Sequence, residues 1–215
     1  MRKLYSYFRS SAAYRVRVAL AVKGLEYDYC AINLLPSVSG HKQLDYLALN
    51  PQGRVPFLID GDVQLSQSPA ILEYLEEQYP ETPLLPENTA DRAYVRQLMN
   101  IVACDIHPLQ NSSVQGSLKR DYGLDADDVG RWNIRWISEG FKALEAVLSS
   151  SQHTGTYCFG DVLTLADVCL IPQMNNGRRY DVPMEEFPTL VRIDAACSEL
   201  APFIKAAPKN QPDAP

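Results

Sequence analysis

The segment Tyr79-Pro80-Glu81-Thr82-Pro83-Leu84-Leu85-Pro86 constrains this chain more than any other, with three prolines among eight residues. Proline has no N–H to give to a helix or a ladder, and it pushes the residue before it out of the α region. No regular element passes through such a run, so the segment reads as a linker anchored by its leucines. The two sides of the linker differ in kind. The first eighty residues alternate short strand-like and helix-like runs, and everything beyond reads as helix.

In the first part, Lys3 to Tyr7 is a brief β-type run followed by Ser10 and Ser11, good N-cap residues. A helix then runs to Gly24, with Tyr14, Val18, Ala21, Val22 and Leu25 on one apolar face and Arg15 and Arg17 off that stripe. Glu26 to Ile32 alternates as a second strand. A polar stretch over 36–40 leads into a short helix from about His41 to Ala48, and Asn50-Pro51-Gln52-Gly53 is a turn by composition. The apolar run Val55 to Ile59, the Asp60-Gly61 hairpin signal and Val63-Gln64-Leu65 predict two paired strands. Ser68-Pro69 opens a helix whose buried side is Ile71, Leu72 and Leu75. The order is βαβ, a loop helix, then ββα.

Beyond the linker, helical spacing recurs over 91–114, 127–148, 165–176 and 186–200. Thr164-Leu165-Ala166-Asp167 has the form of a capping box. The proline-rich tail after Ala206 predicts disorder. The expected domains are therefore an α/β unit over 1–80, a linker over 81–88 and an all-helical unit over 89–215.

A formal net charge of −6 argues against a general nucleic-acid binder. No apolar run approaches the roughly 20 residues that span a bilayer, and the first ten residues lack the apolar stretch of a secretory signal. The five cysteines are odd in number, form no CxxC pair and share no metal-ligand spacing with the three histidines. They read as free thiols in a reducing cytosol, so a cytoplasmic location is expected and neither zinc nor disulfides are.

Three clusters in the first part admit both a structural and a chemical reading. Phe8-Arg9-Ser10-Ser11 opens a helix, where unpaired N–H groups and a partial positive charge favour an anion, or where a serine only caps. Arg54-Val55-Pro56 enters a strand through proline, as a trans edge residue or as a cis bond that presents the Val55 backbone to an extended peptide. Gln67-Ser68-Pro69 offers an amide and a hydroxyl at a second helix start, for a carboxylate or for plain capping. Together the three suit a small peptide-like anion.

The run Leu4 to Ser11, followed by Tyr14-Arg15-Val16-Arg17-Val18-Ala19-Leu20, resembles the signature of the zeta-class glutathione transferases. Asn50-Pro51, Val55-Pro56, Gln67-Ser68, the 71–79 helix, His107 to Asn111, Phe159-Gly160-Asp161, Thr164 to Asp167, Pro172-Gln173 and Arg179-Tyr180 extend the likeness over almost the whole chain. The resemblance implies a thioredoxin-like α/β domain joined to an all-α domain, the glutathione transferase fold, usually as a homodimer. It implies glutathione as cofactor, with Val55 pairing to its cysteinyl backbone, Gln67 and Ser68 on its γ-glutamyl end and His41 near its glycyl end. His107, Asn111 and Ser112 correspond to a further polar set.

Ala12 stands where many members carry cysteine, which leaves Ser10 to stabilise the glutathione thiolate with Ser11 beside it. Arg9 and Arg179 are the expected carboxylate ligands, since a planar guanidinium binds a carboxylate through two hydrogen bonds. Arg15, Arg17 and Arg178 are expected to be structural or solvated, and Trp132, Trp136 and Phe141 to pack between helices. The implied activity is cis–trans isomerisation of a small maleyl acid, maleylacetoacetate ahead of maleylpyruvate, with attack on α-haloacids and non-catalytic glutathione binding as the other readings.

Overall fold

A computed structural model of the chain describes residues 1–35 and 37–215, so the first residue of the polar stretch expected over 36–40 lies outside the described residues. The chain divides into two compact units, one built from 1–83 together with 199–215 and one from 84–198.

The first unit holds a sheet of β1 (Lys3–Ser6), β2 (Asp28–Ala31), β3 (Phe57–Asp60) and β4 (Val63–Ser66) in the order β2-β1-β3-β4. β1 and β2 run parallel, while β3 is antiparallel to both β1 and β4. The order and the strand directions are those expected of a thioredoxin-like βαβ–ββα unit.

Helix α1 (Ser11–Val22) begins where predicted, because Ser10 accepts a hydrogen bond from Ala13 N at 3.2 Å. It stops at Gly24, whose φ of +65° suits a residue without a Cβ. Leu25 N donates to Leu20 O at 2.8 Å and Gly24 N to Ala21 O at 3.2 Å, the paired bonds that close a helix around a left-handed glycine. α1 is buried nearly all round, and Arg15 and Arg17 are each only 1% exposed.

The Arg17 guanidinium tolerates that burial because backbone and hydroxyl oxygens surround it. Nη1 donates to Ser6 Oγ at 3.0 Å and Tyr7 O at 3.3 Å, Nη2 to Phe8 O at 3.0 Å, and Nε to Ala206 O at 3.0 Å. Helices α2 (Leu44–Leu49) and α3 (Ser68–Gln78) complete the part before the linker. Lys23 then pins the linker by donating to Glu76 Oε2, Tyr79 O and Thr82 O, each within 2.9 Å.

The second unit contains α4 (Thr89–Asn100), α5 (Ser112–Tyr122), α6 (Ala126–Ser150), α7 (Leu165–Arg179) and α8 (Pro188–Ser198). The single helix expected over 91–114 is instead four successive elements. α4 passes into a π-turn at Ile101–Ile106 and a 3-10 turn at His107–Gln110 before Asn111 caps α5. Pro108 explains the break: it has no N–H for the preceding turn, and its ring crowds the carbonyl four residues back.

α7 is buried on nearly every face, as the central helix of a bundle must be. The expected capping role of Asp167 holds and extends further. Its Oδ2 accepts from Thr164 N at 2.8 Å and Thr164 Oγ1 at 2.9 Å, while its Oδ1 accepts from Cys158 N at 2.8 Å. Phe141 packs edge-on against Phe187, and Trp132 against Trp136. Arg178 pairs with Asp194 at 2.6 Å.

Residues 199–215 correct two expectations. The helical unit ends at Ser198 and does not run to 215, and the tail after Ala206 is ordered against the first unit. Helix α9 (Ala201–Ala206) is tied to α1 by Tyr14 Oη, which donates to Phe203 O at 3.3 Å, and by Arg17. Gln211 is buried, and its Nε2 donates to Lys205 O and Ala207 O at 2.9 Å each. A terminus tied down by such bonds need not be disordered, whatever its composition. All five cysteines are free, three of them buried, while Cys30 is half-buried and Cys104 exposed. Among the described residues no helix is long and apolar enough to cross a membrane.

Candidate functional site

Strand register alone brings the three N-terminal clusters together. Tyr5, Phe57 and Ser66 lie in one row across β1, β3 and β4. Past that row β1 runs out into Tyr7-Phe8-Arg9-Ser10, β3 is entered from Val55-Pro56, and β4 leads into Gln67-Ser68. β2 leaves at the same end, where Ile32 N donates to Ser6 O at 2.8 Å, and Gly40 N returns to Asn33 O at 2.8 Å just before His41. Ser10, Ser11, His41, Val55, Gln67 and Ser68 therefore gather at one end of one sheet, with Arg9 on the same loop as Ser10.

Local bonds fix each member. Ser10 caps α1, and a hydroxyl that accepts still has its own O–H to donate. Ser11 is buried in the first turn of α1, and Ala12 behind it is buried as well. Arg9 is exposed, with its guanidinium 6.0 Å from the Tyr7 ring centre and 5.9 Å from that of Phe8.

The Val55–Pro56 peptide is cis. The loop before it is clamped at the Arg54 carbonyl, which accepts from Tyr46 Oη at 2.6 Å and Asn50 Nδ2 at 2.7 Å. Beneath lies a small core of Tyr7, Tyr46, Val55 and Phe57, with Tyr5 and Phe8 packed against it.

Gln67 does not act as a plain side-chain cap. It precedes α3 with φ +69°, a left-handed conformation unusual for a glutamine, and its side chain makes no capping bond to the helix. Its Nε2 donates instead to Gln52 Oε1 at 2.7 Å. A non-glycine residue held in the left-handed region costs on the order of 1–3 kcal/mol, and such residues cluster at active sites, ligand clamps and switch regions. The first turn of α3 keeps backbone N–H groups that no residue within the helix can accept. Ser68 is buried and accepts from Arg15 Nη1 at 3.3 Å, which ties this turn to α1.

His41 is half-buried, and its Nδ1 is buried without a hydrogen-bond partner. Burial, with the Lys42 ammonium beside it, holds its pKa below the ordinary value, so the ring is neutral at neutral pH. Gly53 is required here: its φ is +58°, and a Cβ would fall 2.9 Å from the His41 carbonyl oxygen. An orphaned imidazole nitrogen, two helix N-termini and the uncommitted hydroxyl proton of Ser10 form a set of neutral donors and acceptors. That chemistry fits a peptide with carboxylates at its ends and a thiol between them, which is the chemistry of glutathione.

In the second unit, His107 opens the 3-10 turn, Asn111 caps α5 by accepting from Ser113 N at 3.0 Å, and Ser112 is the exposed first residue of α5. Arg179 ends α7 with its guanidinium 4.6 Å from the Tyr180 ring centre, and its Nη2 donates to Tyr180 Oη at 2.8 Å. The same phenol oxygen accepts from Gln115 Nε2 at 2.9 Å, and Gln115 also reaches Gln110 O at 2.6 Å. Arg179 thus sits beside the start of α5, where Asn111 and Ser112 lie. Gln52, Tyr46, Gln115 and Tyr180 were not among the expected site residues. Asn50-Pro51 and Arg179-Tyr180 marked their neighbourhoods in the sequence, but no periodicity announces a contact between residues so far apart along the chain.

Residues 2–77 match the model of the glutathione S-transferase N-terminal domain. The maleylacetoacetate isomerase of Pseudomonas aeruginosa is 44% identical, over 99% of this chain and 99% of that protein. Among solved structures, the holo form of a bacterial zeta-class maleylpyruvate isomerase superposes with a TM-score of 0.96 at 45% identity, covering 99% of this chain and 100% of that one. A maleylacetoacetate isomerase from Methylobacterium extorquens AM1, with bound malonate and glutathione, gives 0.95 at 40% identity and covers 99% of both chains. The chain belongs to the zeta-class glutathione transferase family, with its maleylacetoacetate and maleylpyruvate isomerases.

Proposed function

We propose that the protein is a glutathione-dependent cis–trans isomerase that converts maleylacetoacetate to fumarylacetoacetate in tyrosine and phenylalanine breakdown. The observation that carries this reading is the meeting of the Ser10 cap, the Val55–Pro56 turn and the strained Gln67 at one end of the sheet. When bound, glutathione supplies a thiolate that adds reversibly to the double bond, so that rotation becomes possible. The protein's own residues position and stabilise charge.

Ser10 donates its hydroxyl proton towards the sulfur, and the N-terminus of α1 adds its partial positive charge. A free thiol has a pKa of about 8.5, so this environment raises the thiolate fraction at neutral pH. Val55 offers its backbone to the peptide, and Gln67, Ser68 and the start of α3 hold the γ-glutamyl carboxylate. His41 serves the glycyl end. Ser11 supports the thiolate beside Ser10, while His107, Asn111 and Ser112 supply further polar contacts. Arg9 and Arg179 bind carboxylates of the acid, and malonate bound in a relative supports a site for a short dianion. Positioned donors of this kind stabilise charge on the oxygen conjugated to the reacting bond.

Maleylpyruvate is the second reading, favoured by the full-length likeness to an isomerase of that name. The reading also includes a homodimer in the cytoplasm, supported by family membership alone. Sedimentation of the purified chain tests the dimer. The function is tested by following loss of each cis acid with and without glutathione. Faster turnover of maleylacetoacetate supports the first reading, the reverse supports the second, and no reaction of either acid with bound glutathione rejects both.

A further inference from the structure

Both peptide groups flanking Phe8, two residues before Ser10, are held by charged side chains. Its carbonyl accepts from Arg17 Nη2 at 3.0 Å, and its N–H donates to Asp213 Oδ2 at 3.0 Å. Asp213 comes from the tail, 205 positions along the chain. Its other oxygen, Oδ1, accepts from Tyr29 Oη at 2.6 Å. Burial, and then the bond to Asp213, push the Tyr29 phenol far above its ordinary pKa, so it remains a donor at any working pH.

The tail is built to present this carboxylate. Asn210 Nδ2 donates to Ile204 O at 2.7 Å, Gln211 is buried against the end of α9, and Arg17 Nε holds Ala206 O. Arg17 therefore grips the Phe8 carbonyl and the root of the tail at once. Asp213 closes the ring from the other side.

We propose that Asp213 is a positioning residue for the Ser10 site: through the Phe8 N–H it fixes the loop that carries Ser10, and so it helps set how strongly bound glutathione is ionised. The proposal rests on the thiolate role assigned to Ser10 under the proposed function. A hydrogen bond from a backbone N–H to a carboxylate is charge-assisted, and it restrains the loop more firmly than a neutral acceptor would. Small errors in the placement of a donor are amplified where charge must be stabilised.

The test compares the full chain with Asp213→Ala and Asp213→Asn, using reduced glutathione alone as the probe. Thiolate absorbance of the bound peptide is followed against pH, and amide hydrogen exchange over residues 6–13 is measured without ligand. Asp213→Ala is expected to exchange this loop at least about tenfold faster. It should also raise the thiol's apparent pKa by about half a unit or more, roughly a threefold loss of thiolate below that pKa. Glutathione affinity should change less than the thiolate fraction. Asp213→Asn keeps one oxygen for the Phe8 N–H but loses the charge, so both readouts should fall between those of the parent and of Asp213→Ala.

An unchanged thiol titration in folded Asp213→Ala overturns the proposal, whatever the loop exchange shows. Equal losses in the alanine and asparagine variants, in step with their melting temperatures, overturn it too, because they reveal only a fold-wide effect. Neither measurement needs a maleyl acid. A parent that ionises glutathione yet isomerises nothing therefore removes the proposed function and leaves this inference to be decided by its own readouts.

Discussion

Arg15 Nη1 donates to Ser68 Oγ at 3.3 Å, so a buried guanidinium in the middle of α1 holds the first turn of α3. One helix is capped by Ser10 and the other begins at Ser68. Their N-termini are the two ends at which the proposed ligand is held, and the spacing between them depends on this contact.

Ser68→Ala removes the oxygen from a buried charged donor. Hydrogen bonds to charged groups are worth about 1.5–3 kcal/mol, and an abandoned buried donor costs the same order. The expected result is a lower urea midpoint with an unchanged slope, together with weaker glutathione binding by calorimetry. A variant as stable as the parent would show that Ser68 is no anchor for Arg15.

Ser10→Ala separates capping from chemistry. Losing the cap should cost about 1 kcal/mol of stability. Losing the hydroxyl donor to a thiolate should slow turnover by about tenfold or more, the size of one hydrogen bond to a charged group. Glutathione affinity should fall by less, since Gln67 and the α3 terminus remain. Equal turnover in parent and variant removes Ser10 from the mechanism.

His41 gives the pH dependence a sign. Burial, then the neighbouring Lys42 charge, keep its folded pKa below the ordinary 6.5. The unfolded chain therefore takes up this proton more readily than the folded one. Stability linked to His41 is fully present above about pH 6.5 and is lost as pH falls through and below that value. His41→Asn cannot titrate, so its unfolding midpoint should decline less than the parent's between about pH 7 and 5. Parallel curves for the two proteins would contradict the assignment.

Much of the fold and of the site is legible in the sequence, and the exceptions share a cause. Ser10, Gly24 and Asp167 act within a few residues of themselves, so local spacing reveals their roles. Strand order follows from the alternation of short runs with the Asp60-Gly61 turn. Arg15 and Arg17 look merely off-stripe, because a helical pattern cannot show that Arg15 will meet the start of α3 and Arg17 the end of α9. The helix expected over 91–114 ignores Pro108 inside an otherwise periodic run. Asp213 is invisible for the same reason as the Gln115–Tyr180 contact: each depends on a tertiary approach that leaves no trace in neighbouring residues.

Tyr180 offers the cleanest test of the acid-binding arginine. Its phenol oxygen accepts from Arg179 Nη2 at 2.8 Å and from Gln115 Nε2 at 2.9 Å, so it fixes the direction of an exposed guanidinium. The ring beneath that guanidinium adds a cation–π contact. Tyr180→Phe keeps the ring and deletes only the oxygen. An ordinary hydrogen bond contributes about 0.5–1.5 kcal/mol, which corresponds to roughly a two- to tenfold rise in KM for the maleyl acid. Arg179→Lys loses the planar fork as well and should raise KM further, because an ammonium cannot bind a carboxylate through two parallel bonds. Steady-state kinetics at saturating glutathione read both effects. If KM for the acid is the same in Tyr180→Phe, Arg179→Lys and the parent, then Arg179 is a solvated surface charge and the acid's carboxylate is held elsewhere.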